Sequence, residues 1–547
     1  MNEISRRRFL AAAALSIAAS RLRGQSAVQA TLTIPREANG PHVPDDYIGL
    51  SYEVQQLVDP SFFSSENAKL IREFKALSGR GVLRLGGNTS EFEWWKPTPD
   101  TKEPEHPQTR DEAAEPKAQY YPVTAEAVRN LAGFLRATGW TCLYGIGMGT
   151  NTTEHAAAEA EYVAKTLGDR LQYFQIGNEV DLFSNHLRDP KTWNVKAYMD
   201  EWLPIARAVT KAVPGARFGM PDVARNVGWL TEIAEMWPSI HPLPQVTTLT
   251  HHYYFGGPAT NPAVNIPNLL APEAMEQVLR MADMARAAAD KMGVRMRMTE
   301  GNTCYRGGKP GLSDVFAAAL WSADYSLLLA QNNYSGVNLH GGTGKSVANS
   351  VGGFLPGDVM LKDAGATPDQ IARHPHPFYT PIATFGDEYK LEPVGYGLKF
   401  ARGLCGATLV RADLTRQIQA SGVNATAYAA KLRNGAISVV VINKDQEHDL
   451  ELTLDFGADR RSAVEIETLH APALDARRGQ YHARAKSRRT AAWPARRSRA
   501  PRFRNAGDRA VMIPAVPPRV RVFHLRSGFT SFRRSKVFSR ITRDKAS

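Results

Sequence analysis

Tyr173-Phe174-Gln175-Ile176-Gly177-Asn178-Glu179 is a short, largely apolar run that stops on a carboxylate, and Arg295-Met296-Arg297-Met298-Thr299-Glu300 repeats the arrangement further along the chain. The first run does not alternate cleanly between apolar and polar residues. Parallel strands buried on both faces read this way. Working outward, the same kind of run recurs at Tyr47–Val54, Val82–Gly86, Cys142–Met148, Arg217–Pro221, Thr248–Tyr254 and Gly336–His340, which makes eight with the first two. Helical patterns fall between them. Leu70, Ile71, Phe74 and Leu77 lie at helical spacing before Gly79, and Val128, Leu131 and Leu135 follow Thr124, a candidate N-cap. A further helix is expected over Ser313–Gln331. Eight β/α units predict an α/β fold of the (β/α)8, or TIM-barrel, type, in which strand ends carry the chemistry. An open doubly wound sheet is the alternative. No GxGxxG or GxxxxGK[ST] follows any of the runs, so its nucleotide-binding versions lose support.

Past about residue 390 the pattern changes. Ala427–Leu432, Asn434-Gly435 and Ile437–Ile442 form a hairpin signal, with further strands expected at His448–Phe456 and Ser462–Leu469. This predicts a C-terminal antiparallel β-sandwich domain. The expected boundaries are a signal segment over 1–27, a strand within 28–40 that joins the sandwich, and the catalytic barrel over 41–388. The sandwich then takes 389–527 with an Arg-rich insertion at 476–510, and a basic tail takes 528–547.

The 547 residues carry a formal charge of +13, which on its face suggests a nucleic-acid partner. The location of the charge argues otherwise. Residues 471–547 hold 21 Lys/Arg against 3 Asp/Glu, while the preceding 470 hold 46 against 51. The bulk is mildly acidic, and no nucleic-acid motif accompanies the basic end. Ser5-Arg6-Arg7-Arg8-Phe9-Leu10 before the apolar Ala11–Ala19 resembles a bacterial twin-arginine signal, which predicts export to the periplasm or beyond. No later run is long enough for a membrane helix. The three cysteines, Cys142, Cys304 and Cys405, are too few for a disulfide scaffold and too far apart for a zinc clip.

Two carboxylates across a barrel mouth suit glycoside hydrolysis. One protonates the leaving oxygen while the other attacks the anomeric carbon, and a separation of ~5–5.5 Å gives retention. Asn178, beside Glu179, is placed to bind a sugar 2-hydroxyl. On strand geometry, His251 and Tyr253 share one face and His252 takes the other, which argues against a metal held by the two histidines.

Gly177-Asn178-Glu179 and Thr299-Glu300 resemble the strand-4 and strand-7 motifs of the clan A glycoside hydrolases. Arg84-Leu85-Gly86-Gly87-Asn88-Thr89, His251-His252-Tyr253-Tyr254, Glu300-Gly301-Asn302-Thr303-Cys304-Tyr305-Arg306-Gly307-Gly308 and Leu312–Ala318 narrow the resemblance to glycoside hydrolase family 79. That family contains bacterial β-glucuronidases and heparanase, and the likeness covers roughly residues 28–470. It implies Glu179 as acid/base, Glu300 as nucleophile and Tyr253 as the tyrosine that orients Glu300. It implies Glu53 and Asn88 as partners for sugar hydroxyls, and Tyr305 with the backbone near Gly307 as a clamp for a uronate carboxylate. His340 is a further candidate donor; Arg306 and Lys345 are nearby basic residues. Arg306 stands where heparanase has glycine, which favours a narrowed cleft and single terminal sugars. The expected activity is that of a retaining exo-β-glucuronidase, a monomer without metal or organic cofactor, acting on glucuronic-acid-containing glycans or glycosides. A β-xylosidase or arabinofuranosidase of the same clan, an endo-acting heparanase-like enzyme and a non-catalytic glycan-binding protein stay open as alternatives.

Overall fold

The computed structural model describes residues 28–35, 37–106, 120–342, 377–456, 463–477, 482–489 and 519–525. The signal-like segment, Lys345, the stretch 490–510 and the basic tail lie outside the described residues.

Eight parallel strands close into a barrel. They are β1 (Ile48–Glu53), β2 (Val82–Gly86), β3 (Thr141–Ile146), β4 (Leu171–Ile176), β5 (Arg217–Val223), β6 (Gln245–Gly256), β7 (Arg295–Cys304) and β8 (Val337–Gly341), each paired with its chain neighbour. Every predicted run falls on one of them. Helices separate them: α1 (Ala68–Leu77), α2 (Ala125–Thr138), α3 (Thr153–Leu167), α4 (Val195–Ala212), α5 (Gly228–Met236), α6 (Ala274–Met292) and α7 (Phe316–Gln331). The Thr124 side chain caps α2 by accepting from the Ala127 amide, and Gly139 ends it in a left-handed conformation.

Helix α7 differs from the others. Fourteen of its sixteen residues are buried, so it has no solvent face. A helix that is apolar all round must be covered all round. The barrel covers one side and the C-terminal domain the other. Within that seam Lys444 forms an ion pair with Asp324 at 2.6 Å, and the hydroxyls of Tyr428 and Thr426 each donate to the same carboxylate at 2.7 Å.

The C-terminal domain contains a six-stranded sheet in the order β9 (Thr408–Leu409), β10 (Ala425–Lys431), β11 (Ile437–Asn443), β15 (Arg519–Leu525), β13 (Ala463–Ala471), β14 (His482–Arg489). The β10–β11 hairpin turns at Gly435, whose φ of 79° favours glycine. One expectation needs correcting. The sheet is mixed, because β15 lies between β11 and β13 and runs parallel to both. A tight turn forces antiparallel pairing, whereas a long connection leaves the direction free. The strand Val28–Thr33 pairs in parallel with β12 (Leu450–Asp455). Leu32 and Ile34 from this ladder pack with Leu414, Ile418, Val439 and Val441 into a second core. No helix among the described residues is long and apolar enough to cross a membrane.

Candidate active site

The ends of β1, β2 and β4 to β8 converge at one mouth of the barrel. After β4 the chain turns through Gly177 (φ 85°) and Glu179 (φ 49°). A Cβ at Gly177 would lie 2.7 Å from the Val180 side chain, so glycine is required there. The turn lifts Glu179 over the mouth, where its amide donates to the Asp222 carbonyl at 2.9 Å. On β7 a bulge between Met298 and Glu300 interrupts the register with β6. It lets two successive residues serve the site, since Thr299 hydrogen-bonds Asp222 while Glu300 also faces in. A carboxylate oxygen of Glu179, one of Glu300 and a ring nitrogen of His252 lie within 4.8 Å of one another.

Arg84 stands between the acidic groups, almost fully buried on β2. Its guanidinium donates to Glu300 Oε2 at 2.6 Å, Asp222 Oδ2 at 2.5 Å, Asn178 Oδ1 at 2.6 Å and Ser51 Oγ at 2.9 Å. His252 bridges two carboxylates, with Nδ1 3.1 Å from Glu179 and Nε2 3.1 Å from Asp222. Tyr254 donates to Glu300 Oε1 at 2.7 Å.

The strand alternation is as expected, but the face assigned to Tyr253 is not. His252 and Tyr254 enter the mouth, while His251 bonds Tyr334 at 2.7 Å and Tyr253 stacks on Tyr325 of α7. Tyr254, not Tyr253, holds Glu300. Period-two alternation sorts residues onto two faces without naming the inner one. With aromatic residues on both faces, only packing against α7 decides.

The network drives the two glutamates apart in protonation. Burial pushes Glu179 above the usual carboxylate range, and the hydrogen bond from His252 only partly opposes it. Burial would push Glu300 up as well, but His340, His252 and Arg84, with the Tyr254 hydroxyl, hold it at about 2. Asp222 likewise stays far below its ordinary value, because Arg84 and His252 outweigh its burial. Burial disfavours the charged form of His252, yet Asp222 and Glu300 raise it to about 10. An imidazolium has no free lone pair, so the Glu179–His252–Glu300 cluster is suited to an ion-pair network rather than to a metal.

The remaining expected residues ring this centre. Glu53 is buried and accepts from the Thr89 amide at 2.9 Å and hydroxyl at 2.7 Å, with His340 Nε2 3.4 Å away. A Cβ at Gly87 (φ 77°) would collide with the Glu53 carboxylate. His340 Nδ1 lies 2.9 Å from Ser51 Oγ and 3.6 Å from Glu300. Asn88 Oδ1 accepts from the Asn178 amide group at 3.1 Å. Tyr305 sits 6.4 Å from the Tyr254 ring, with the Arg225 guanidinium 5.7 Å over its face. Arg306, Gly307 and Gly308 all take left-handed φ angles of 60–86°, and the Gly307 carbonyl accepts from the Tyr379 amide at 3.4 Å. Arg306 is exposed at the rim. Cys304 is buried beneath the loop, which pushes its thiol up to about 12, as suits packing rather than nucleophilic chemistry.

Besides His252 and Tyr254, three more site residues had no assigned role in the sequence analysis. Asp222 does end an apolar run, the signal that marked the two glutamates, but β5 extends further than its apolar stretch. Arg84 lies inside a quoted motif, yet a buried arginine on a strand is legible only through its partners. Tyr379 arrives from outside the barrel strands. Its ring lies 6.2 Å from Tyr254 and 6.0 Å from His340, and among the described residues its buried hydroxyl has no well-aligned partner.

The relatives point the same way. A β-glucuronidase of Aspergillus niger is 26% identical over 368 residues, 61% of this chain and 66% of the relative. A β-glucuronidase of Neurospora crassa is 26% identical over 348 residues, 57% of this chain and 60% of the relative. The chain thus matches less than two thirds of the length of either. No protein-family model matches it. Among solved structures, a 4-O-α-L-rhamnosyl-β-D-glucuronidase of Fusarium oxysporum 12S superposes with a TM-score of 0.60 at 18% identity, covering 84% of this chain and 91% of that one. An arabinofuranosidase of Xanthomonas axonopodis pv. citri gives 0.56 at 14%, covering 84% and 95%. At such identities the likeness speaks for the fold. The sequence relatives and the structural ones are alike glycoside hydrolases.

Proposed function

We propose that this protein is a retaining β-glucuronidase of the family 79 type. The observation that carries the reading is the pair Glu179 and Glu300, within 4.8 Å of each other and biased to opposite protonation states. A spacing of this order suits direct attack by one carboxylate, whereas inversion needs ~6.5–9.5 Å for an intervening water. Glu300, ionised and oriented by Tyr254 and Arg84, attacks the anomeric carbon while Glu179 protonates the leaving oxygen. The glycosyl–Glu300 ester is then hydrolysed by a water that Glu179 deprotonates.

Glucuronic acid is the glycone this reading selects. A buried carboxylate needs donors. The Tyr305 and Tyr379 phenols and the curled backbone at Gly307 supply them without a fixed negative partner. Exposed Arg306 on the rim supports removal of a single terminal sugar. The twin-arginine segment supports export, and a monomer remains the expected state.

The test is a panel of aryl β-D-glucuronide, β-D-xyloside and α-L-arabinofuranoside, with the wild type, Glu300→Gln and Glu179→Ala. Expected are glucuronide hydrolysis abolished in Glu300→Gln, and a β-glucuronosyl azide from Glu179→Ala in azide, the product of a covalent intermediate. Preference for the neutral pentosides would replace the glycone assignment, and an α-configured azide product would end the retaining mechanism.

A further inference from the structure

The β2 loop carries a buried carboxylate that the mechanism above does not use. Glu91 lies in the helical turn Asn88–Phe92 and is 2% exposed. Its oxygens meet three main-chain donors from two other strand ends. Oε2 accepts from Met148 at 2.9 Å and Gly149 at 2.5 Å, after β3, and Oε1 accepts from Asn178 at 2.6 Å, after β4. The Thr150 hydroxyl also donates to the Glu91 carbonyl.

The same short turn holds Asn178 twice, since Asn88, three residues before Glu91, takes its side-chain amide. Its start is tied in turn to Glu53 through Thr89. We infer that Glu91 is a positioning residue that sets the reach of Glu179 by fixing the Gly177–Asn178 peptide, one residue before it, and so tunes leaving-group protonation. This rests on the reading of Glu179 as acid/base.

The physical need is local. Glu179 is a non-glycine residue in the left-handed region, a strained conformation that persists only where its surroundings impose it. Asn178 is the last residue before that strained position, and its amide could otherwise rotate with the turn. A carboxylate gripping that amide and two others ties the β3 and β4 loops into one unit. Few side chains could do this, because both oxygens must accept. An amide such as Gln would turn a donor toward at least one N–H. Burial raises Glu91 to about 7 while the three amides and Arg188 pull it down, so its grip is strongest when ionised. The other groups around it are Glu93 on its own segment and Tyr198 from α4.

The neighbouring Glu93 supplies the control. It is buried too, and among the described residues it accepts from a single main-chain amide, Gly147, away from the Gly177–Asn178 peptide. The experiment compares wild type, Glu91→Gln, Glu91→Asp and Glu93→Gln on aryl β-glucuronides whose leaving phenols span a range of acidity. General acid catalysis contributes about 10²–10⁴-fold and matters most for poor leaving groups. Glu91→Gln is expected to lower kcat/KM, which reports the glycosylation step alone, about 10–100-fold on the poorest leaving group and under about threefold on the best. Glu91→Asp, which keeps the charge but not the reach, should fall between. Glu93→Gln should alter the melting temperature without steepening the leaving-group dependence. A loss in Glu91→Gln that is equal across all leaving groups, or one matched by Glu93→Gln, overturns the inference. If Glu91→Gln does not fold, the leaving-group slope of Glu91→Asp decides alone. Wild type inert on every glucuronide would defeat the proposed function instead, a distinguishable result.

Discussion

Two places in this molecule bury charge, and they use it differently. At the seam between α7 and the C-terminal sheet, Lys444 and Asp324 pair at 2.6 Å, both 2% exposed or less, with Tyr428 and Thr426 completing the carboxylate's shell. At the barrel mouth, Arg84 and His252 face three carboxylates, Glu179, Asp222 and Glu300. The seam is a closed account of one cation and one anion. The mouth has a surplus of acid around too few cations, so one carboxylate is left to hold a proton. Asp222 takes the largest share of Arg84 and His252, Glu300 is held ionised by its neighbours, and Glu179, at the edge, is the one pushed up by burial. Charge taken out of water thus gives structure in one place and a proton donor in the other, because stoichiometry and position differ.

The comparison can be tested in order of expected effect. The largest is Glu300→Gln at the mouth, expected to lower kcat/KM on an aryl glucuronide by about a thousandfold or more, with the melting temperature hardly reduced. Next comes Lys444→Met at the seam. It strands a buried anion and should cost about 3 kcal/mol in denaturant unfolding while leaving kcat/KM of the folded fraction unchanged. A seam mutation that altered the pH–rate profile would break the contrast. Tyr254→Phe removes a hydrogen bond to an ionised nucleophile and should reduce kcat by about tenfold or more.

His252→Gln tests the charge distribution itself. The imidazolium lowers the pKa of both glutamates, so removing it raises both. Activity requires Glu300 ionised, which sets the acid limb, and Glu179 protonated, which sets the alkaline limb. Both limbs of kcat/KM should therefore move to higher pH, by about one unit each. A shift to lower pH would show that His252 is not the positive charge that holds both carboxylates down. The smallest effect belongs to Tyr253→Phe, whose hydroxyl donates to the Ala274 carbonyl at 3.4 Å, away from Glu300, and should change kcat within about twofold.

Much of the barrel was legible because parallel strands buried on two faces are written as apolar runs. The carboxylates closing the fourth and seventh runs, with Asn178, could be found without coordinates. The C-terminal domain was less so. Its hairpin at Asn434-Gly435 is a local signal, whereas the insertion of β15 between β11 and β13 depends on partners distant in the chain. The choice between Tyr253 and Tyr254 illustrates the same limit on a single strand.

The strand runs, the count of eight, and the carboxylates Glu179 and Glu300 that close two of them are legible along the chain, since each follows from local chemistry. It took the folded arrangement to supply the physical cause that leaves the proton on Glu179, to pick the tyrosine that reaches the nucleophile, and to bring Asp222, Arg84, Tyr379 and Glu91 to the site. Those properties arise from distances between segments, and electrostatic and hydrogen-bond energies depend on distance in space rather than on separation along the chain.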